Sequence, residues 1–109
     1  MYGDTNSALA GCLACVKIPK IKLIHLEAGL RSFDKKMPEE VNRRIIDHCS
    51  DLLLCPTYIS KKFLIKEGIN PKKIFMVGNT IVDAMKSYLV SNYLMNNNNS
   101  PLIDQYPCD

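Results

Sequence analysis

The chain has 109 residues, 47% of them hydrophobic and 23% charged, with no tryptophan and a formal net charge of +3. That describes one compact domain and leaves no room for a complete two-domain enzyme. Its apolar runs, among them Ile-Phe-Met-Val at 74–77 and Leu-Leu-Leu-Cys at 52–55, fall far short of the roughly 20 residues that a membrane-spanning helix needs.

The elements follow one another as short β-branched runs alternating with longer stretches of helical spacing, the pattern of βα units and a parallel sheet. A helix is expected over residues 5–17, a strand over 21–26 and a second helix over 39–49. Then come a strand over 51–55, a helix over 57–67, a strand over 73–77 and a helix over 80–94. The strands are short and mainly apolar, as strands buried on both faces of a parallel sheet tend to be. In the second helix Val41, Ile45, Ile46 and Cys49 fall on one side, the stripe expected to pack on the sheet, and Glu40, Arg43, Arg44 and Asp47 fall largely elsewhere. Glu40 and Arg44 read as solvated.

Start and stop signals agree with these bounds. Pro38 precedes Glu39 and Glu40, whose charges suit a helix N-terminus. Thr57 with Ser60, and Thr80 with Asp83, open the later helices, the second pair at capping-box spacing. Gly68 closes the third helix, and Pro71 prevents its continuation. Residues 96–109, polar and rich in asparagine, read as a tail or linker after a domain over 1–95. Only Met1 and Tyr2 stand before Gly3, so the first helix lacks a full strand of its own and the fold reads as the latter half of a larger domain.

Five cysteines, an odd number, fit a reducing compartment. Cys12 and Cys15 form a CxxC, but Cys49 and Cys55 do not supply a matching pair, and the surrounding small residues read as a packed helix, so no metal is expected. Asp4 stands where an export signal would carry basic residues, and the chain is expected to be cytoplasmic. The scattered lysines suit an anionic ligand, whereas nucleic-acid binding calls for a denser basic stripe or aromatic platforms.

Three places at strand ends and helix starts, where α/β enzymes hold ligands, carry candidate chemistry. In Gly3-Asp4-Thr5, a carboxylate and free helix amides follow a glycine; the plain alternative is that Asp4 is only an N-cap. In the segment 25–31, His25, Glu27 and Arg31 surround Gly29; His25 and Glu27 face one side of an extended strand, and the alternative is a surface ion pair beside a satisfied histidine. At the start of the second helix Glu39, Asn42 and Arg43 share a face at i, i+3 and i+4 spacing; the alternative is a solvated charged turn. Carboxylates gathered with arginines suit proton transfer on an anionic, phosphorylated substrate.

GDTNSALA, HLEAGLRS, PEEVNRR, Cys55-Pro56-Thr57 and VGNTIVDAM, in that order over about residues 2–88, resemble the non-hydrolysing UDP-N-acetylglucosamine 2-epimerases. The resemblance implies a GT-B-like architecture of two Rossmann-like domains around a cleft, of which this chain carries part of the first. It implies interconversion of UDP-GlcNAc and UDP-ManNAc by elimination and re-addition of UDP, with no cofactor and no catalytic metal. It assigns acid and base roles to Asp4, Glu27 and Glu39, and substrate contacts to Arg31, Asn42 and Arg43, with His25 beside them. The family's catalytic histidine belongs to the second domain, and neither His25 nor His48 matches it. The implied partners are a UDP-sugar, the missing N-terminal units and second domain as a separate chain, and a second copy in a homodimer; neither nucleic acid nor membrane is among them. A GT-B glycosyltransferase fragment and a non-catalytic interaction module are the competing expectations.

Overall fold

A computed structural model of the chain describes residues 1–95; the expected tail at 96–109 lies outside the described residues. Three strands, β1 (Ile24–Leu26), β2 (Leu52–Cys55) and β3 (Ile74–Met76), form one parallel sheet in the order β1-β2-β3. His25 stands opposite Leu53, and Leu54 opposite Phe75. The first strand is shorter than its apolar run because the Leu23 N–H is taken by the Asp51 carboxylate at 3.0 Å instead of entering the ladder. On the other edge of β1 the start of the chain runs parallel to it: the Leu26 N–H donates to the Met1 carbonyl at 2.8 Å and Tyr2 bridges Leu26. An extended lead-in therefore does precede the first helix.

The helices fall where the periodicity places them: α1 (Asn6–Cys15), α2 (Pro38–Cys49), α3 (Tyr58–Lys66) and α4 (Thr80–Met95). The N-cap of α1 is Thr5, whose hydroxyl accepts from the Ala8 N–H at 3.1 Å. Asp4 is thereby left out of the cap. Thr57 caps α3 in the same way through the Ser60 N–H. The end of α3 is a Schellman motif: the Gly68 N–H donates to the Ile65 carbonyl and the Ile69 N–H to the Leu64 carbonyl, with Gly68 at φ +88°. Met1–Asn79 form one compact unit; α4 is the described part of the second, which runs from Thr80. Among the described residues no helix is long and apolar enough to cross a membrane.

Two clusters make the core of the first unit. Ala28, Leu53, Cys55, Leu64 and Ile74 join α3 to the sheet, and Ala8, Cys12, Leu23 and Ile46 join α1, α2 and the approach to β1. Burial pushes the Cys12 and Cys55 thiols up to about 11, Cys12 with help from neighbouring Cys49 and Cys55 with help from Asp47, so both behave as small apolar residues.

Two expectations are corrected here. Among the described residues the strands are not buried on both faces: Ile24, Phe75 and Met76 are all more than 40% exposed. The buried side of α2 is also different from the one its apolar stripe indicates. Glu40, Asn42, Ile46 and Asp47 are buried, whereas Val41 and Ile45 are exposed. Paired charges account for this: Asp47 meets the buried Arg31, and Glu40 meets Arg44 at the edge of the core, so they are buried at a cost that partnerless carboxylates would not survive.

Candidate functional site

The loops after Tyr2 and after β1, and the first two turns of α2, meet at one end of the sheet. Gly3 turns the chain at φ +69° and delivers Asp4 to α2. There the Arg43 guanidinium donates to Asp4 Oδ2 at 2.5 Å. Asn42 Nδ2 donates to the Asp4 carbonyl and to Asn6 Oδ1, both at 2.9 Å. Asp4 is thus held by its side chain and by its backbone from adjacent residues of one helix.

Glu27 follows β1 in the left-handed region at φ +66°, a conformation that costs a residue with a Cβ about 1–2 kcal/mol and that gathers at functional sites. It also ends the extended alternation that predicts His25 and Glu27 on one side, since the strand stops at Leu26. The Glu27 carboxylate nonetheless lies against the Asp4 loop: its Oε2 would stand 3.7 Å from a Cβ added at Gly3. Glu39 is exposed in the first turn of α2, one helical turn before Arg43.

His25 and Arg31 lie behind this rim. His25 is 1% exposed, with Nδ1 2.7 Å from Asp47 Oδ1 and Nε2 3.0 Å from the Gly3 carbonyl. The Arg31 side chain is wholly buried and forked. It reaches Glu67 with Nε at 2.7 Å and Nη2 at 2.6 Å, and its Nη1 reaches Asp47 at 2.8 Å and the Leu30 carbonyl at 2.6 Å. Burial alone would lower its pKa; the bonds to Glu67 and Asp47 outweigh that and raise it. The guanidinium is thus held inside the fold by Glu67, Asp47 and the Leu30 carbonyl.

Three acids that the sequence reading left aside complete the arrangement. Glu40, read as solvated, is fully buried and takes the Ser32 N–H at 2.9 Å, the Ser32 hydroxyl and Arg44 Nε at 2.9 Å, with Arg43 at 3.5 Å. Burial raises its pKa, but these donors more than reverse that, and the carboxyl ends below its ordinary range. Glu67 is likewise held low, first by the Arg31 hydrogen bonds; Arg44 and His48 also approach it. Asp47 joins His25, Gly29 and Arg31. A signal for Glu40 and Asp47 does exist in the sequence, since they stand seven residues apart with Arg43 and Arg44 between them, one stripe at two-turn spacing. Among the described residues no cluster of His, Cys, Asp and Glu is arranged to hold a metal ion.

Residues 1–105 match the family described as UDP-N-acetylglucosamine 2-epimerase. The chain belongs to this family. The UDP-N-acetylglucosamine 2-epimerase of Methanocaldococcus jannaschii is 60% identical over 84 residues, 77% of this chain and 23% of the relative. The crystal structure of that organism's UDP-GlcNAc 2-epimerase with UDP-GlcNAc and UDP matches at TM-score 0.77 and 52% identity, covering 91% of this chain and 26% of the other. A UDP-2,3-diacetamido-2,3-dideoxy-D-glucuronate 2-epimerase of Pseudomonas aeruginosa is 49% identical over 86 residues, 77% of this chain and 24% of the relative. The chain thus spans about a quarter of the length of these epimerases.

Proposed function

We propose that this chain is a part of a nucleotide-sugar 2-epimerase acting on UDP-GlcNAc, with Asp4, Glu27 and Glu39 as the acid and base groups. In the intact sugar the C2 proton is not acidic. Cleavage of the C1–O bond to UDP must therefore run ahead, leaving an oxocarbenium-like centre that acidifies it. One carboxylate stabilises that centre and another takes the proton, giving a 2-acetamidoglucal. Re-addition of UDP with a proton delivered to the opposite face of C2 then yields UDP-ManNAc. Such two-faced proton traffic requires more than one acid/base group, each contributing roughly 10²- to 10⁴-fold.

The observation that carries this reading is the meeting of Asp4 and Glu27 at one rim, Asp4 braced by Asn42 and Arg43, in a chain of this family. Asn42 and Arg43 orient the acids and face the substrate; Arg31 and His25 act from behind, through the groups they hold. Residues 1–109 do not turn over alone in this reading. They work in a GT-B-like assembly together with the rest of the family's length, paired in a homodimer, in a cytoplasm that keeps the thiols reduced.

The test is direct. The purified chain is incubated with UDP-GlcNAc in deuterated buffer, alone and with a polypeptide carrying the remainder of a family enzyme. Deuterium at C2 and UDP-ManNAc are expected only in the mixture, and Asp4→Asn should remove about 10²-fold or more of that rate. Turnover by the chain alone refutes its dependence on a partner. Sugar transfer without C2 exchange favours a glycosyltransferase, and binding without chemistry an interaction module. A second substrate reading has support in the P. aeruginosa relative, so the diacetamido-glucuronate sugar nucleotide belongs in the same assay.

A further inference from the structure

We infer that Asp47, a buried acid on α2 with no place in the proton chemistry, is the positioning residue that sets Asp4 and Glu27 relative to one another; this rests on the reading of those two as the reacting acids. The two oxygens of Asp47 bracket Glu27. Oδ1 meets the ring of His25, two residues before it, and Oδ2 takes the N–H of Gly29, two residues after it, at 3.2 Å. The bracket holds a residue whose backbone would otherwise relax out of the left-handed region.

His25 then carries the same constraint to the second acid. The Gly3 carbonyl can only accept, so His25 Nε2 donates to it at 3.0 Å, and Nδ1 lies 2.7 Å from Asp47 Oδ1. Gly3 precedes Asp4 and lies against the Glu27 carboxylate. One carboxylate thereby fixes both loops, while Arg31 balances its charge from the far side. His25 and Asp47 are 1% and 0% exposed in their side chains, so water does not compete for these bonds and each is worth more than at a surface.

The full chain, isotopically labelled, tests this without substrate. Asp47→Asn should speed amide exchange at both Gly3 and Gly29 about tenfold or more, as loss of a buried charged hydrogen bond does. It should also move the carboxyl resonances of Asp4 and Glu27, leaving Glu39 and the Val16 and Val77 amides unmoved. His25→Gln should loosen Gly3 and spare Gly29, because Asp47 Oδ2 still holds the latter. That split decides the matter even if the Asp47 variant fails to fold. Equal acceleration at Gly3, Gly29, Val16 and Val77 would reduce Asp47 to general stability, and no change at Gly3 and Gly29 would remove its role; either result overturns the inference. Deuterium uptake at C2 in the assembled wild type judges the epimerase reading separately, so the two can fail independently.

Discussion

Replacing Arg31 by methionine keeps most of the side-chain volume and removes the charge. Four hydrogen bonds vanish, two to Glu67, one to Asp47 and one to the Leu30 carbonyl. Asp47 is left fully buried with its negative charge facing only His25 and the Gly29 N–H. Breaking one side of a buried pair costs about 3–5 kcal/mol; the 20% exposure of the Glu67 side chain lets water repay part of that, which places Arg31→Met near ~3 kcal/mol. Small domains hold about 5–15 kcal/mol in total, so the variant should still fold but close to its margin. Arg31→Lys keeps the charge and loses the planar fork, for about 1.5–3 kcal/mol. With a urea m value of about 1–3 kcal/mol/M, the midpoint for Arg31→Met should fall by roughly 1–3 M. A cost within ~0.5 kcal/mol, the range of an ordinary surface change, would show that the guanidinium is not committed inside the fold and would return it to the list of substrate contacts.

Three other outcomes follow from the same structure. Gly29→Ala should cost about 3 kcal/mol and Gly68→Ala about 1 kcal/mol by chemical melts: both have positive φ, but a Cβ at Gly29 would stand 2.5 Å from the Ser60 carbonyl oxygen, and at Gly68 it would meet open space; equal costs would refute the close approach. Glu40 and Glu67 have folded pKa values below their ordinary 4.5, so their contribution is complete above about 4.5 and is lost as pH falls through the lowered values. Tm should hold from neutral pH to about 5 and then drop, more shallowly in Glu40→Gln; a Tm that rises on acidification contradicts the pairing. Thr57→Ala should lose about 1 kcal/mol with the cap of α3, and an unchanged melting curve would mean that Ser60 does not need that hydroxyl.

The candidate site was only partly legible in the chain. Asp4, Glu27, Asn42 and Arg43 stand out because strand ends and helix starts are local features, and the structure brings these residues together through Gly3 and the first turns of α2. Arg31 and His25 stand out equally, yet their nitrogens are taken by Asp47, Glu67 and Gly3, from 22 residues away for His25 and 36 for the Arg31–Glu67 pair. Spacing along a chain carries no record of such partners. Glu40 was masked by the opposite error: a charged residue at a helix start reads as solvated, and nothing local tells that Ser32, Arg43 and Arg44 close over it.

Sequence alone determined the alternation of strands and helices, the family, and the bounds of α2, α3 and α4 to within one or two residues, because hydrophobic period, caps and glycine stops act over a single turn. Tertiary structure alone decided which face of α2 turns inward and which charges are sealed in pairs. Burying a charge is unfavourable until a partner is buried with it; for Asp47 and Arg31 that partner comes from a distant part of the chain and is fixed by the packing of α2, α3 and the β1 loop, whereas Glu40 takes Arg43 and Arg44 from its own helix.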